Sequence, residues 1–149
     1  MTSSTSTHEQ ITIGNLVVRP RVEPHESGNS VAIHEFDVPA GAGLALPHSH
    51  DNYEETIYGL VGTVTFTIEG ARTEIGPGAA VCIPRGAVHS FANNGQLDAT
   101  ALAIITPGIL GGDYFREVAA VVDAAAGGPP NLTAIGEVMR RHGLTPAQE

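Results

Sequence analysis

His48-Ser49-His50-Asp51-Asn52-Tyr53-Glu54-Glu55 is the stretch on which the fold of this chain turns, together with its distant complement Pro84-Arg85-Gly86-Ala87-Val88-His89. On a strand, side chains two positions apart share a face, so His48 and His50 project together. Two imidazoles at that spacing suit a metal, although many such pairs are plain surface histidines. Glu54 and Glu55 open the next strand after the short link 51–53, and a turn back sets that strand beside the pair. One carboxylate then faces the imidazoles and its neighbour faces away; periodicity alone leaves open which. His89 follows a turn and begins the run His89-Ser90-Phe91. Taken by itself it is a hydrogen-bonded histidine at a barrel mouth. Three neutral imidazole nitrogens and one carboxylate oxygen favour Mn, Fe, Co, Ni, Cu or Zn over Ca or Mg.

Outward from these segments, short apolar and β-branched runs alternate with Gly, Pro and Asn. The pattern predicts strands over 16–19, 30–38, 45–50, 54–60, 63–69, 72–75, 80–83, 90–92 and 99–105, the signature of an all-β sandwich or barrel. After Thr106 the regime changes. Asp113 is the expected N-cap of a first helix, with Phe115, Val118, Val121 and Val122 at helical spacing. Gly127-Gly128-Pro129-Pro130 breaks it, and Asn131 caps a second helix that Gly143 ends. The expected organisation is a polar tail over 1–10, a barrel over 11–106, and a helical extension over 107–149 packed on an outer face, too short to bury a core of its own.

The two quoted segments resemble the paired motifs of the cupin superfamily. The first family pattern is G-x5-H-x-H-x3,4-E-x6-G, and here His48, His50, Glu55 and Gly62 match it. The spacing to Gly62 selects Glu55 and turns Glu54 away. The leading glycine falls on Ala42, between Gly41 and Gly43, which implies a shifted turn. The second pattern, G-x5-P-x-G-x2-H-x3-N, is met by Gly78, Pro84, Gly86, His89 and Asn93. The resemblance covers about 30–105. It implies a cupin double-stranded β-helix (a jelly-roll barrel) with one or two short C-terminal helices packed outside. It also implies one divalent transition metal on His48, His50, Glu55 and His89, and a homodimer formed by strand exchange or sheet packing, with 11–18 as the exchanged segment. The glycines sit where turns favour positive φ, and Asn93 is expected to satisfy backbone groups in a turn.

With Glu55 inward, Ile57 and Gly59 follow; with His48 and His50 inward, so do Leu46 and Leu44; with His89 inward, so does Phe91. His34 lies on the more apolar parity of its strand. His34, Leu46, Ile57 and Phe91 are therefore expected to line a substrate pocket, each with barrel core as the competing reading. Tyr53, Tyr58 and Arg85 are further candidates near the mouth, and Cys82 is expected to be a small buried hydrophobe.

The layout after the last strand, with Ile104-Ile105-Thr106-Pro107-Gly108 and Tyr114-Phe115-Arg116-Glu117, resembles small quercetin-dioxygenase-like cupins. That resemblance implies a metal-dependent dioxygenase acting on a small hydroxylated or enolisable molecule, with Glu55 as base. The alternatives are a non-redox isomerase or lyase and a non-enzymatic binding cupin. Composition narrows the partners. The net charge is −9, with seven basic residues, every one Arg. That argues against a nucleic-acid or anionic-membrane surface and leaves a small molecule as the expected partner. The single Cys82 excludes an intrachain disulfide and fits a cytoplasmic location. The start of the chain lacks the basic and apolar regions of a secretory signal.

Overall fold

The computed structural model describes residues 9–44 and 46–147. Most of the expected tail lies outside these residues, as does Ala45. The chain runs β1 (Ile11–Ile13), β2 (Leu16–Val22), a 3-10 turn (Pro24–Ser27), β3 (Ala32–Val38), β4 (His48–His50), β5 (Glu54–Val61), β6 (Val64–Ile68), β7 (Ala71–Ile75), β8 (Ala80–Ile83), β9 (His89–Ala92), β10 (Ala99–Thr106), α1 (Gly112–Ala124), α2 (Leu132–Arg141) and β11 (Leu144–Pro146). Among the described residues the strands form two antiparallel sheets, ordered β1-β2-β3-β10-β5-β8 and β11-β4-β9-β6-β7. This is the cupin jelly roll, with two short helices after it.

Alternation builds the interior. In β3, Ala32, His34, Phe36 and Val38 are buried while the residues between them are half-buried, and in β10 Ala99, Ala101, Ala103 and Ile105 do the same. The register carries one row across the larger sheet: His34 opposite Ala103, and Ala103 opposite Ile57. The next row sets Ala32, Ile105, Glu55 and Ile83 side by side. Alanines in the central strand, where leucines would fill the barrel, leave room between the sheets. On the outer face Arg19 bridges Glu35 and Asp37.

Several turns are built as the motif positions imply. Gly62 has φ +63°, and a Cβ there would meet the Asp98 carbonyl oxygen at 2.5 Å. Asn93, buried, donates to the carbonyls of Val38 and Leu97 and accepts from the Gly95 amide, tying three segments together.

The structure differs from the sequence-based expectations in four places. The helix start falls at Gly112, with Gly111 as N-cap; Asp113 lies in the first turn, paired with Arg116. Helix α1 packs on the barrel as expected, but its Tyr114, Phe115 and Val118 reach the inner cavity, which was not expected. The extension is not purely helical: β11 joins the smaller sheet beside β4. Cys82 is exposed, since β8 is an edge strand whose 80 and 82 side chains face out.

Candidate metal centre

Three strands carry the cluster. The smaller sheet supplies His48 and His50 from β4 and His89 from β9, with His48 directly opposite His89 in register. The larger sheet supplies Glu55 from β5 across the interior. The three histidines are buried, and their ligating nitrogens all lie within 4.8 Å of one another. His48 Nε2 and His50 Nε2 are 3.2 Å apart, and Glu55 Oε1 is 3.6 Å from His89 Nε2.

The backbone sets the tautomers. His48 Nδ1 donates to the Leu46 carbonyl at 3.2 Å and His89 Nδ1 to the Ala87 carbonyl at 3.0 Å. A carbonyl only accepts, so each Nδ1 carries the proton and each Nε2 presents its lone pair to the centre. His50 stacks on Tyr53 with ring centroids 4.7 Å apart, and its Nδ1 is buried without a partner among the described residues. Facing imidazole nitrogens at such separations repel unless a proton or a cation lies between them. The donor set therefore fits a transition metal: neutral imidazoles, preset lone pairs and an adjacent carboxylate.

Electrostatics agree. Burial, together with the neighbouring His89 and His50, pushes the His48 pKa down to about 3. Burial likewise lowers that of His50. Burial works against ionising Glu55, but His89 at hydrogen-bonding range and the surrounding imidazoles outweigh it and hold the carboxyl at about 2. Glu55 is thus an anion at neutral pH, beside His48 and His50, which burial keeps neutral, and His89, whose pKa Glu55 raises in spite of burial. Glu54 faces away, as its parity requires, and pairs with Arg85 on the surface.

The cluster closes one side of a cavity of about 110 Å³. His34, Ile57 and Phe91 line it, with Leu44, Phe36, Phe66 and Ala103. Leu46 does not. The backbone bends at Leu46 and regular β4 begins only at His48, so alternation does not carry back; Leu46 packs with Tyr53 and Met139 in a second apolar cluster. Tyr53 lies wholly buried behind His50, and Tyr58 is exposed on the outer face. Sequence reasoning did not assign Leu110, Tyr114, Phe115, Val118 and Leu144 to the cavity wall. Helical periodicity exposed an apolar side of α1 but not what it would cover. His34, fully buried, donates Nε2–H to the Leu110 carbonyl at 2.8 Å, packs edge-on against Phe115, and has no partner for Nδ1.

Comparison with known proteins places these features. Residues 34–105 match the cupin domain family Cupin_2. An uncharacterized protein of Aquifex aeolicus is 34% identical over 71 residues, 48% of this chain and 58% of that one, so the match spans little more than half of the relative. The polyketide cyclase RemF from Streptomyces resistomycificus superposes with a TM-score of 0.60 at 22% identity, covering 72% of this chain and 79% of that chain. A predicted oxalate decarboxylase from Thermotoga maritima gives 0.58 at 25% identity, over 71% and 98%. A sugar phosphate isomerase of the cupin superfamily from Silicibacter pomeroyi gives 0.51 at 21%, over 60% and 59%. No helix among the described residues is long and apolar enough to cross a membrane. The segment that carries the three histidines matches the cupin domain family, and the chain has the cupin fold.

Proposed function

We propose that this chain is a metal-dependent enzyme that acts on a small, uncharged organic molecule bearing a hydroxyl or an enolisable carbonyl, in a dioxygenase-like reaction. His48, His50, His89 and Glu55 would hold one divalent transition metal, Fe, Mn, Ni, Zn, Co or Cu. When bound, the ion supplies Lewis acidity toward a substrate oxygen and, if redox-active, reactivity toward dioxygen. The observation that carries the reading is the convergence of three imidazoles and one carboxylate on a cavity whose other walls are almost all apolar.

The chain's own residues set the remaining chemistry. Phe36, Phe66, Phe91 and Phe115 form flat walls that orient a ring or a conjugated system and exclude water. Glu55, ionised and beside the cluster, accepts the proton of a substrate hydroxyl or of a carbon next to a carbonyl. No Arg lines the cavity among the described residues, so beyond the metal a phosphate or carboxylate substrate would find no arginine to hold it there.

The non-redox alternative, an isomerase or lyase, draws support from His34. It is a second neutral imidazole on the cavity wall, apart from the cluster, with a free Nδ1. Two separate acid–base groups are what moving a proton between two substrate atoms requires. The test is elemental analysis of the purified protein, followed by oxygen-uptake assays of the Fe, Mn, Ni and Cu forms with flavonols and 1,3-diketones. Uptake supports the dioxygenase. Exchange of substrate C–H for deuterium without uptake supports the non-redox enzyme. Binding without either defeats both.

A further inference from the structure

Against the inner cavity lies a second, larger recess of about 820 Å³. Ile13, Leu16, Leu44, Tyr114 and Val118 are walls of both. Its remaining boundary includes the β1–β2 turn at Gly14-Asn15, the Gly41–Gly43 turn, Val122 and Met139, with the glycines that follow α1. The two spaces thus adjoin and share these walls. The only carboxylate on the outer recess, among the described residues, is Asp123, and the only one on the inner cavity is Glu55. No Lys or Arg lines either space among the described residues.

We infer that the outer recess is the subsite for an uncharged apolar tail of the substrate, whose oxygen-bearing head occupies the inner cavity. The inference rests on the proposed function for the head and extends it: the substrate is elongated, with its polar oxygens at one end and a hydrocarbon or flat aromatic body at the other. Continuity with the cavity selects this occupant. A chain or ring leaving the inner space past Leu16, Leu44 and Val118 enters the recess directly, and the pair of acidic residues disfavours an anionic group at either end.

The metal-free chain tests this apart from the chemistry. Calorimetric titration with 1-butanol, 1-hexanol and 1-octanol should show affinity rising about twofold to threefold per added methylene, below the roughly fourfold of complete burial because the recess is partly open. Octanoate should bind at least about tenfold more weakly than 1-octanol. Val122→Arg, which sets a charge on the recess and not on the inner cavity, should abolish the gain from 1-butanol to 1-octanol while leaving 1-butanol binding unchanged. Leu97→Arg, on an exposed loop position, should alter none of these values and controls for added charge. Affinity that is flat with chain length, octanoate binding equal to 1-octanol, or a Val122→Arg variant that keeps the full gain overturns the inference. Two further outcomes overturn it in favour of another occupant. One is a fall in oligomeric mass on Val122→Arg, measured by light scattering, which assigns the recess to a second copy. The other is a chain-length dependence that emerges only after residues 1–8 are removed. Loss of metal binding with the alcohol series intact would defeat the proposed function and leave the subsite standing.

Discussion

His48, His50 and His89 are held by short-range devices, each of which can be broken singly. Replacing His50 with alanine removes one of three converging nitrogens while its ring's stacking partner Tyr53 stays in place. We expect metal content, measured by elemental analysis, to fall below about a tenth of the parent's, with the fold retained by circular dichroism. Retention of full content by His50→Ala would remove the proposed coordination. Asn93 works by a different physics. Its amide holds the carbonyls of Val38 and Leu97 in a buried setting. Asn93→Ala leaves those acceptors unpaired, and denaturant unfolding should show a loss of about 2–3 kcal/mol. A loss under about 0.5 kcal/mol would mean that water replaces the amide.

Among the segments, β11 is the least expected and the most consequential. It pairs with β4 through Leu144–His50, Thr145–Ser49 and Pro146–His48, whereas on the other side β4 meets β9 at the single register pair His48–His89. Leu144 is buried and reaches the cavity wall. Leu144→Ala should therefore cost about 2–4 kcal/mol of stability by denaturant unfolding. It should also weaken metal binding in a direct titration; an unchanged metal affinity would show that β4 holds its shape without its outer neighbour. The strands of the barrel were legible in the sequence because alternation and turn residues are local signals. All nine expected segments fall within about three residues of their observed bounds, and the histidine cluster follows from the motif spacing. The strand expected over 45–50 shrinks to His48–His50, because nothing local announces the bend at Leu46. Residues 144–146 were not legible, since Leu-Thr-Pro is too short to show a period and gains its conformation from a partner ninety-odd positions earlier. The inward turn of α1 was hidden for the same reason: an amphipathic helix declares an apolar side, not its neighbour.

Taken as one cooperative unit, the protein should be stabilised by its metal and weakened by acid. An ion that binds only the folded form at about a hundred times its Kd adds about 2.7 kcal/mol, which for a domain of this size raises Tm by about 5–10 °C. Calorimetry with and without a chelator measures the shift, and an unchanged Tm would argue against a folded-state site. In the metal-free chain His48 titrates at about 3, against 6.5 for the free side chain. The unfolded chain takes up that proton first, so the contribution is complete above about pH 6.5 and declines as pH falls toward about 3. His50 and His34, also lowered by burial, act in the same direction, while His89, raised overall by Glu55 in spite of its burial, opposes them. Thermal unfolding between about pH 8 and pH 5 should show Tm decreasing with acid, and a flat profile would contradict the burial of these imidazoles. The placement of β11 also orders events in time. During synthesis all four candidate donors have been joined to the chain once His89 is added, yet the strand bearing two of them lacks its flanking neighbour until residue 144 follows. Until residues 144–146 pair with β4, the donors stand without the neighbour that aligns them, and a chain cut short after the second helix should hold a metal ion less tightly in a direct titration.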